Sequence, residues 1–152
     1  YYARRYDQAA EQVRKILEMD PNSYPAHYML AEVYRQKAMY KEAVAQYVKV
    51  WTLEGWKERA GYQRAFLASG FQGAQRWYRD YLIRDAGKPP GPSMRLATVH
   101  AGLGENDAAF RLLEKFYQDR RPYLLYLKLD PDFDPLRGDA RFADLARRLG
   151  LP

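Results

Sequence analysis

The sequence predicts an all-α fold, a right-handed solenoid of stacked helix hairpins that ends in a C-terminal capping helix. The first observation is that alanine recurs at Ala9, Ala43, Ala74 and Ala109, in steps of 34, 31 and 35 residues. The second is that a bulkier side chain follows each alanine about one helical turn later, on the same helix face. The third is that the chain has 152 residues and no cysteine, a length that supports one core without disulfides.

We expect these helices to form one domain over residues 1–152. The chain lacks an initiator methionine and opens at Tyr1 within a helical pattern, so we expect it to be a piece of a longer polypeptide. The predicted divisions are a partial repeat at 1–22, repeats at about 23–55, 56–87 and 91–121, and a capping segment at 122–152.

Residues that end or interrupt helices lie at the predicted boundaries between these divisions and within the third repeat. The breaks are expected at Asp20–Asn22, around Gly55, at Ser69–Gly70, at Gly87–Pro92 and at Arg121–Pro122.

The capping segment is predicted to contain a short turn and a final helix. Asp134 and Asp139 each precede a residue that is common at the start of a helix, so both are expected to act as N-caps. The final helix would bury one apolar stripe, formed by Phe142, Leu145 and Leu149.

A spaced motif in the second repeat carries a resemblance to a known family. The motif reads His27-x-x-Leu30-Ala31-x-x-Tyr34, followed by Ala43-x-x-x-Tyr47. This pattern resembles the tetratricopeptide repeat, with His27 where the family usually has tryptophan and Gly55 where it has proline. Leu96, Ala97 and His100 fall on the matching positions of the fourth repeat.

The C-terminal part of the chain resembles a narrower group. Ala101–Glu105, Leu113–Lys115 and Leu127–Arg137 look like the closing tetratricopeptide segment of bacterial multi-domain regulators. Those proteins carry winged-helix, serine/threonine kinase or cyclase domains. The resemblance implies a non-catalytic scaffolding or sensory module that serves signalling or transcription regulation.

In the resembled family, the first helices of successive repeats line a concave groove for a peptide or a helix. Repeats that clamp an acidic C-terminus have Lys and Asn where this chain has Tyr28 and Glu32, so that subtype is not expected. Exposed groove charges such as Arg35 and Arg59 should contribute little to folding. Carried onto this sequence, the predicted partner-binding residues are Tyr28, Glu32, Arg35, Trp56, Arg59, Gln63, Phe66, Met94 and Thr98.

Few residues could carry catalysis. His27 and His100 occur on the apolar faces of two predicted helices without a neighbouring nucleophile, which favours a structural role. Gly102 and Gly104 lack the third glycine and the preceding strand of a dinucleotide site, so they indicate a turn. We therefore expect no enzymatic activity and no cofactor.

The alternating aspartates Asp130, Asp132 and Asp134 look like the start of a calcium loop. Such a loop needs glycine at its sixth position and glutamate at its twelfth, where this chain has Pro135 and Arg141. We therefore expect helix caps here and no metal site.

The net charge of +6 is spread along the chain, at +2, +2, +3 and −1 over residues 1–51, 52–87, 88–129 and 130–152. Because no basic block stands out, a protein or peptide partner is the first interpretation. Nucleic-acid binding through scattered Arg and Lys is the alternative, and self-association is left open. No apolar run is long enough to span a membrane, and we expect a cytoplasmic location.

Overall fold

The computed structural model describes residues 5–86 and 93–151, and all regular structure within these ranges is helical. The prediction of an all-α fold is thus confirmed. The chain divides into two compact units, one up to Ala74 and the other from Gln75 onward. None of the helices in the described ranges is both long and apolar enough to cross a membrane. The break predicted at Gly87–Pro92 lies outside the described residues.

The N-terminal unit contains helices α1 (Tyr6–Met19), α2 (Tyr24–Gln36) and α3 (Tyr40–Leu53), and the first part of α4 (Arg59–Ala86). Helix α2 packs against α1 on one side and against α3 on the other. Because two neighbours cover α2, its buried surface is wider than a single apolar stripe.

Small side chains allow these helices to approach one another closely. Ala31 of α2 and Ala43 of α3 are completely buried and pack with Tyr47. In α1 the buried alanine is Ala10, whereas the predicted Ala9 is only partly buried. The predicted position in α1 is therefore wrong by one residue.

Helix α4 is interrupted at the turn that the sequence predicts. Ser69 (φ −143°, ψ 18°) and Gly70 (φ 65°, ψ −168°) both leave helical geometry. Gly70 adopts a conformation that residues with a Cβ rarely reach, which explains glycine here. Directly after the break, the ring of Phe71 stacks on Tyr40, with centroids 4.4 Å apart.

The C-terminal unit contains the rest of α4, helix α5 (Met94–Gly102) and helix α6 (Asn106–Gln118). Two 3₁₀ helices follow, Pro122–Tyr126 and Pro131–Leu136, and then α7 (Ala140–Arg148). One apolar core joins α5, α6, the two 3₁₀ segments and α7, and α7 packs on it as the capping helix was expected to do. Its fully buried members on the 3₁₀ segments are Leu124, Leu127, Phe133 and Leu136.

Helix α7 is also tied to α6 by two ion pairs. Arg141 contacts Asp107 at 2.8 Å, and Arg148 contacts Glu114 at 2.5 Å. The guanidinium of Arg141 also lies 4.3 Å from the ring centroid of Phe110. These contacts fix α7 on the outer side of the apolar core.

One of the two predicted N-caps is confirmed and the other is wrong. The Asp139 carboxylate accepts a hydrogen bond from the backbone N–H of Arg141 at 3.0 Å, as an N-cap of α7 should. Asp134 instead lies inside the second 3₁₀ helix, where its carboxylate pairs with Arg137 at 2.6 Å. The cap of that helix is Asp130, which also precedes a proline and accepts from the N–H of Asp132 at 3.0 Å.

Helix ends in both units close in the same way. At each of these ends, the backbone N–H of a residue with positive φ donates to a carbonyl of the last helical turn. The N–H of the next residue donates to the carbonyl five positions earlier, as in a Schellman motif. The residues with positive φ at these ends are Ala38 (56°), Gly55 (72°), Gly104 (75°), Arg120 (53°) and Gly150 (68°).

Candidate functional site

A buried carboxylate lies at the centre of the N-terminal unit. Glu32 of α2 is only 5% exposed. Its Oε1 accepts a 2.6 Å hydrogen bond from the Tyr47 hydroxyl of α3. Its Oε2 accepts from Arg35, at 2.7 Å from Nη2 and 3.0 Å from Nε. A buried charge with a cationic partner and a hydroxyl donor is compensated, so this group of residues can be stable in the core.

The prediction that Glu32 is an exposed groove residue is therefore wrong. Because Arg35 pairs with this buried carboxylate, we expect it to contribute more to folding than an exposed groove charge would. Glu32 lies between Ala31 and Val33, which are both completely buried, because α2 has neighbours on two sides. Arg35 holds the carboxylate in place. Both residues position the surface around them rather than forming the exposed part of it.

Aromatic side chains extend from this buried group to the surface of the N-terminal unit. The Tyr47 ring contacts Tyr28 at a centroid distance of 6.3 Å and Trp51 at 5.6 Å. Trp51 in turn contacts Trp56 at 4.7 Å. We call the set the aromatic cluster, and its members are Tyr24, Tyr28, Tyr47, Trp51, Trp56 and Tyr62.

The aromatic cluster has a buried interior and an accessible rim. Tyr47 and Tyr62 are almost completely buried, whereas Tyr28 and Trp56 are partly exposed and Tyr24 is exposed. The Tyr24 and Tyr28 rings stack with centroids 6.4 Å apart. Accessible rings that rest on buried rings present a wide apolar surface with little side-chain freedom.

Polar groups at the rim of the cluster are held by neighbouring residues. Arg59 is partly buried, and its Nη1 donates to the carbonyl of Trp56 at 2.6 Å. Burial, with a smaller contribution from the Glu54 carboxylate, raises the pKa of Tyr24. The Tyr24 hydroxyl therefore stays protonated at neutral pH.

The structure thus brings five predicted residues, Tyr28, Glu32, Arg35, Trp56 and Arg59, into or beside one cluster. Trp56 does not belong to a first helix of a repeat, because it lies in the connection between α3 and α4. Of the other predicted residues in this unit, Gln63 is exposed and Phe66 is partly buried, both on α4.

Met94 and Thr98 belong to the C-terminal unit, and their predicted role in a groove is not supported by their surroundings. Thr98 is buried, and its Oγ1 donates to the carbonyl of Arg95 at 2.9 Å. Met94 packs against the core of its unit. The short helix α5 is buried over most of its length, since five other residues from Leu96 to Ala101 are buried as well.

Sequence reasoning missed Tyr24, Trp51 and Tyr62, and it assigned Tyr47 to packing alone. A signal was present, because Tyr24 and Tyr28 are four residues apart, as are Tyr47 and Trp51. Side chains at that spacing lie on one face of a helix and can contact one another.

The two histidines have structural partners. His27 Nδ1 lies 2.7 Å from Oε1 of Gln46, and its Nε2 lies 3.0 Å from the carbonyl of Pro21. His100 Nδ1 lies 2.5 Å from Oε2 of Glu105. Among the described residues, no group of three or more His, Cys, Asp or Glu side chains is arranged to hold a metal ion.

A family model described as tetratricopeptide repeat matches residues 1–51. This range includes Tyr28, Glu32, Arg35 and Tyr47. Comparisons with curated proteins and with solved structures gave no match. Tetratricopeptide repeats generally mediate protein–protein interactions. The chain therefore contains a tetratricopeptide-repeat domain, which the family match places within residues 1–51.

Proposed function

We propose that this protein is a non-catalytic interaction module that binds a peptide or a helix of a partner protein at the rim of the aromatic cluster. The observation that carries the proposal is the contact of two partly exposed rings, Tyr28 and Trp56, with rings further inside the cluster. Tyr28 contacts the buried Tyr47 ring, and Trp56 contacts the partly buried Trp51 ring, which stacks on Tyr47. The resemblance of Leu127–Arg137 to regulator C-termini supports a place in a cytoplasmic bacterial signalling or transcription regulator.

The arrangement favours binding because the accessible rings are held before a partner arrives. The Tyr47 ring is fixed through its hydroxyl by Glu32, and Glu32 is fixed by Arg35. Fixed aromatic side chains lose little conformational entropy on binding, and Trp and Tyr are frequent hot-spot residues.

The charges at this surface favour a protein partner over a phosphate backbone. Arg35 is neutralised by Glu32, which leaves Arg59 and the exposed Lys57 as the basic residues close to Trp56 in the sequence of the rim. A nucleic-acid site releases several counterions and loses affinity steeply with added salt. A surface with few basic groups and several rings should show a weak dependence on salt.

The test is a selection of peptides from a displayed random library on the whole chain, followed by affinity measurements with selected peptides. We expect Tyr28→Ala and Trp56→Ala to weaken binding by about tenfold each, as for hot-spot residues. Leu67→Ala is the matched control, because Leu67 is 77% exposed on α4 of the same unit and lies outside the cluster. Thermal melting of each variant confirms that it is folded.

Two results would overturn the proposal. One is that the selected peptides bind the Tyr28 and Trp56 variants as tightly as the parent chain. The other is that a DNA or RNA duplex binds more tightly than any peptide, with an affinity that falls steeply as salt is raised. The second result would establish the nucleic-acid alternative.

A further inference from the structure

A separate surface of the C-terminal unit has features of a second binding site. The first 3₁₀ helix continues in the same hydrogen-bonding pattern to Leu129, since Leu127 N–H bonds Leu124 and Leu129 N–H bonds Tyr126, at 3.0 and 2.8 Å. In a 3₁₀ helix, residues three apart lie above one another. Leu124, Leu127 and Asp130 form the buried row.

The adjoining rows carry exposed apolar side chains. Tyr123, Leu125, Tyr126 and Leu129 are 38, 58, 47 and 55% exposed. The Tyr123 and Tyr126 rings contact each other with centroids 5.8 Å apart. We call these four residues the apolar ridge. Four large apolar side chains exposed within seven residues form a contiguous patch of the kind that marks interaction sites.

The apolar ridge is held rigidly by its surroundings. The Tyr123 hydroxyl donates to the carboxylate of buried Asp130, which also accepts from the N–H of Asp132 at 3.0 Å. At the other end, Arg137 Nη2 donates to the carbonyl of Lys128 at 2.6 Å. The segment is held at both ends, and every third residue is buried. Its outer side chains therefore lose little conformational entropy when a partner binds.

The charged residues of the stretch that carries the apolar ridge are all positive. The stretch Arg120–Leu129 contains Arg120, Arg121 and Lys128 and no acidic residue, and these three side chains are exposed. Asp130 follows it, but its carboxylate is buried against Tyr123. A partner that covers the apolar ridge therefore meets a basic border, which favours an acidic surface.

We propose that the apolar ridge binds an acidic amphipathic helix of a partner protein. The seven residues from Tyr123 to Leu129 span six steps of 3₁₀ geometry, which is about 12 Å. Two turns of an α-helix cover about 11 Å, so apolar residues at i, i+3 or i+4, and i+7 of a partner helix match the ridge in length. Glutamates beside that apolar stripe would meet Arg121 and Lys128.

Two other occupants fit the observations less well. A second copy of this chain docked through the same patch would bring two sets of three cations together, which is repulsive. Insertion into an anionic membrane needs side chains that project freely. The Tyr123 ring is instead held back by its hydrogen bond to Asp130.

The probe is a displayed library of helical peptides of about 18 residues, with leucine fixed at the apolar positions and the flanking positions random between Glu and Lys. The whole chain is the target on which the peptides are selected. We expect Glu to be enriched over Lys at the flanking positions. We expect the double variant Leu125→Ser/Leu129→Ser to bind the selected peptides at least about tenfold more weakly.

Two further variants make the test specific. Arg121→Glu/Lys128→Glu should reverse the preference of the library from Glu to Lys. Leu67→Ser is the control, since it removes an even more exposed leucine from the N-terminal unit and should leave binding unchanged. The replaced side chains are exposed, so the thermal midpoints of all variants should stay close to that of the parent.

The proposal is overturned if no peptide is selected, if Lys-rich peptides win on the parent chain, or if binding survives the Leu125/Leu129 change. It is also overturned if vesicles containing phosphatidylserine bind the chain and the selected peptides do not.

Dimerisation of the parent chain that is lost in the Leu125/Leu129 variant would also overturn the proposal, because it would assign the apolar ridge to a second copy of the chain. The proposed function of the aromatic cluster is unaffected by each of these outcomes, because Tyr28 and Trp56 belong to the other unit.

Discussion

The Tyr47 hydroxyl donates a 2.6 Å hydrogen bond to Oε1 of Glu32, and both side chains are buried between α2 and α3. This bond links the two helices of the matched repeat across 15 residues of sequence. Since Tyr47 also contacts Tyr28 and Trp51, the same bond supports the exposed rings of the aromatic cluster.

Removal of this hydroxyl should destabilise the protein. In Tyr47→Phe the buried Glu32 carboxylate loses a donor that no water replaces, at a cost of about 1–3 kcal/mol in the free energy of unfolding. Urea unfolding measures the change. Tyr40→Phe is the control, because Tyr40 is exposed and should change stability by less than about 0.5 kcal/mol. Equal midpoints for Tyr47→Phe and the parent would show that the bond does not contribute.

The turn after α2 should become more stable when Ala38 is replaced by glycine. Ala38 has φ 56°, a left-handed conformation that costs residues with a Cβ about 1–2 kcal/mol. Glycine removes that strain, but it also increases the conformational entropy of the unfolded chain, which offsets part of the benefit. Ala38→Gly should therefore raise the free energy of unfolding by about 0.5–1 kcal/mol.

The equivalent turn after α5 provides the reciprocal experiment. Gly104 has φ 75°, and a Cβ added there would meet no heavy atom within 4 Å. Gly104→Ala should therefore lose about 0.5–1 kcal/mol through backbone strain alone. Chemical denaturation of both variants is the measurement, and shifts of the same sign in the two would contradict this explanation of the turns.

Removal of residues 138–152 should lower both thermal stability and solubility. Helix α7 covers the core through Phe142 and Leu145, which pack with Phe116. Without them, a contiguous apolar surface is exposed next to the apolar ridge, which favours aggregation. The measurements are the thermal midpoint and the concentration that stays in solution. A truncated chain that melts like the parent would show that α7 is not needed as a cap.

The C-terminal unit should lose stability in acid through Asp139. Its hydrogen bonds with Arg141 lower the pKa of Asp139 from its usual 3.8 to about 2. A carboxyl group whose pKa is depressed on folding stabilises the fold above its unfolded pKa, and this contribution is lost as the pH falls through the folded pKa. The loss from Asp139 should therefore occur between about pH 4 and 2.

Asp139→Asn isolates this effect, because asparagine also caps helices but does not titrate. The thermal midpoint of the variant should fall less steeply than that of the parent between about pH 4 and 2. Identical slopes would show that Asp139 does not couple folding to protonation. Asp20→Asn serves as a control, since Asp20 is an exposed carboxylate near α1 in the other unit.

The helical fold could be predicted because its signals are local. Alanine at helix crossings and glycine at turns such as Gly70 and Gly104 act through side-chain size and backbone geometry, both of which are visible in the sequence. Ala9 was assigned in place of Ala10 because the two are adjacent, and only the direction from which α2 packs decides between them.

The site was harder to predict because its burial depends on distant partners. A glutamate on a helix is usually exposed, and Glu32 is buried only because Arg35 and Tyr47 compensate its charge. Asp130 is a parallel case, since its burial depends on the Tyr123 hydroxyl. Tyr28 and Trp56 could be predicted as binding residues, but the division of the aromatic cluster into buried and accessible rings is set by tertiary packing.

The ion pairs between α6 and α7 have a consequence for how such a chain can change in length. Asp107 and Arg141 are 34 residues apart, and so are Glu114 and Arg148. The starts of the two helices, Asn106 and Ala140, differ by the same interval. The closing segment therefore keeps the spacing of a repeat, with 3₁₀ helices where the first α-helix of that repeat would be. A segment built on this interval can pack against any repeat of the same length, so whole repeats can be gained or lost before it during evolution while its packing stays the same.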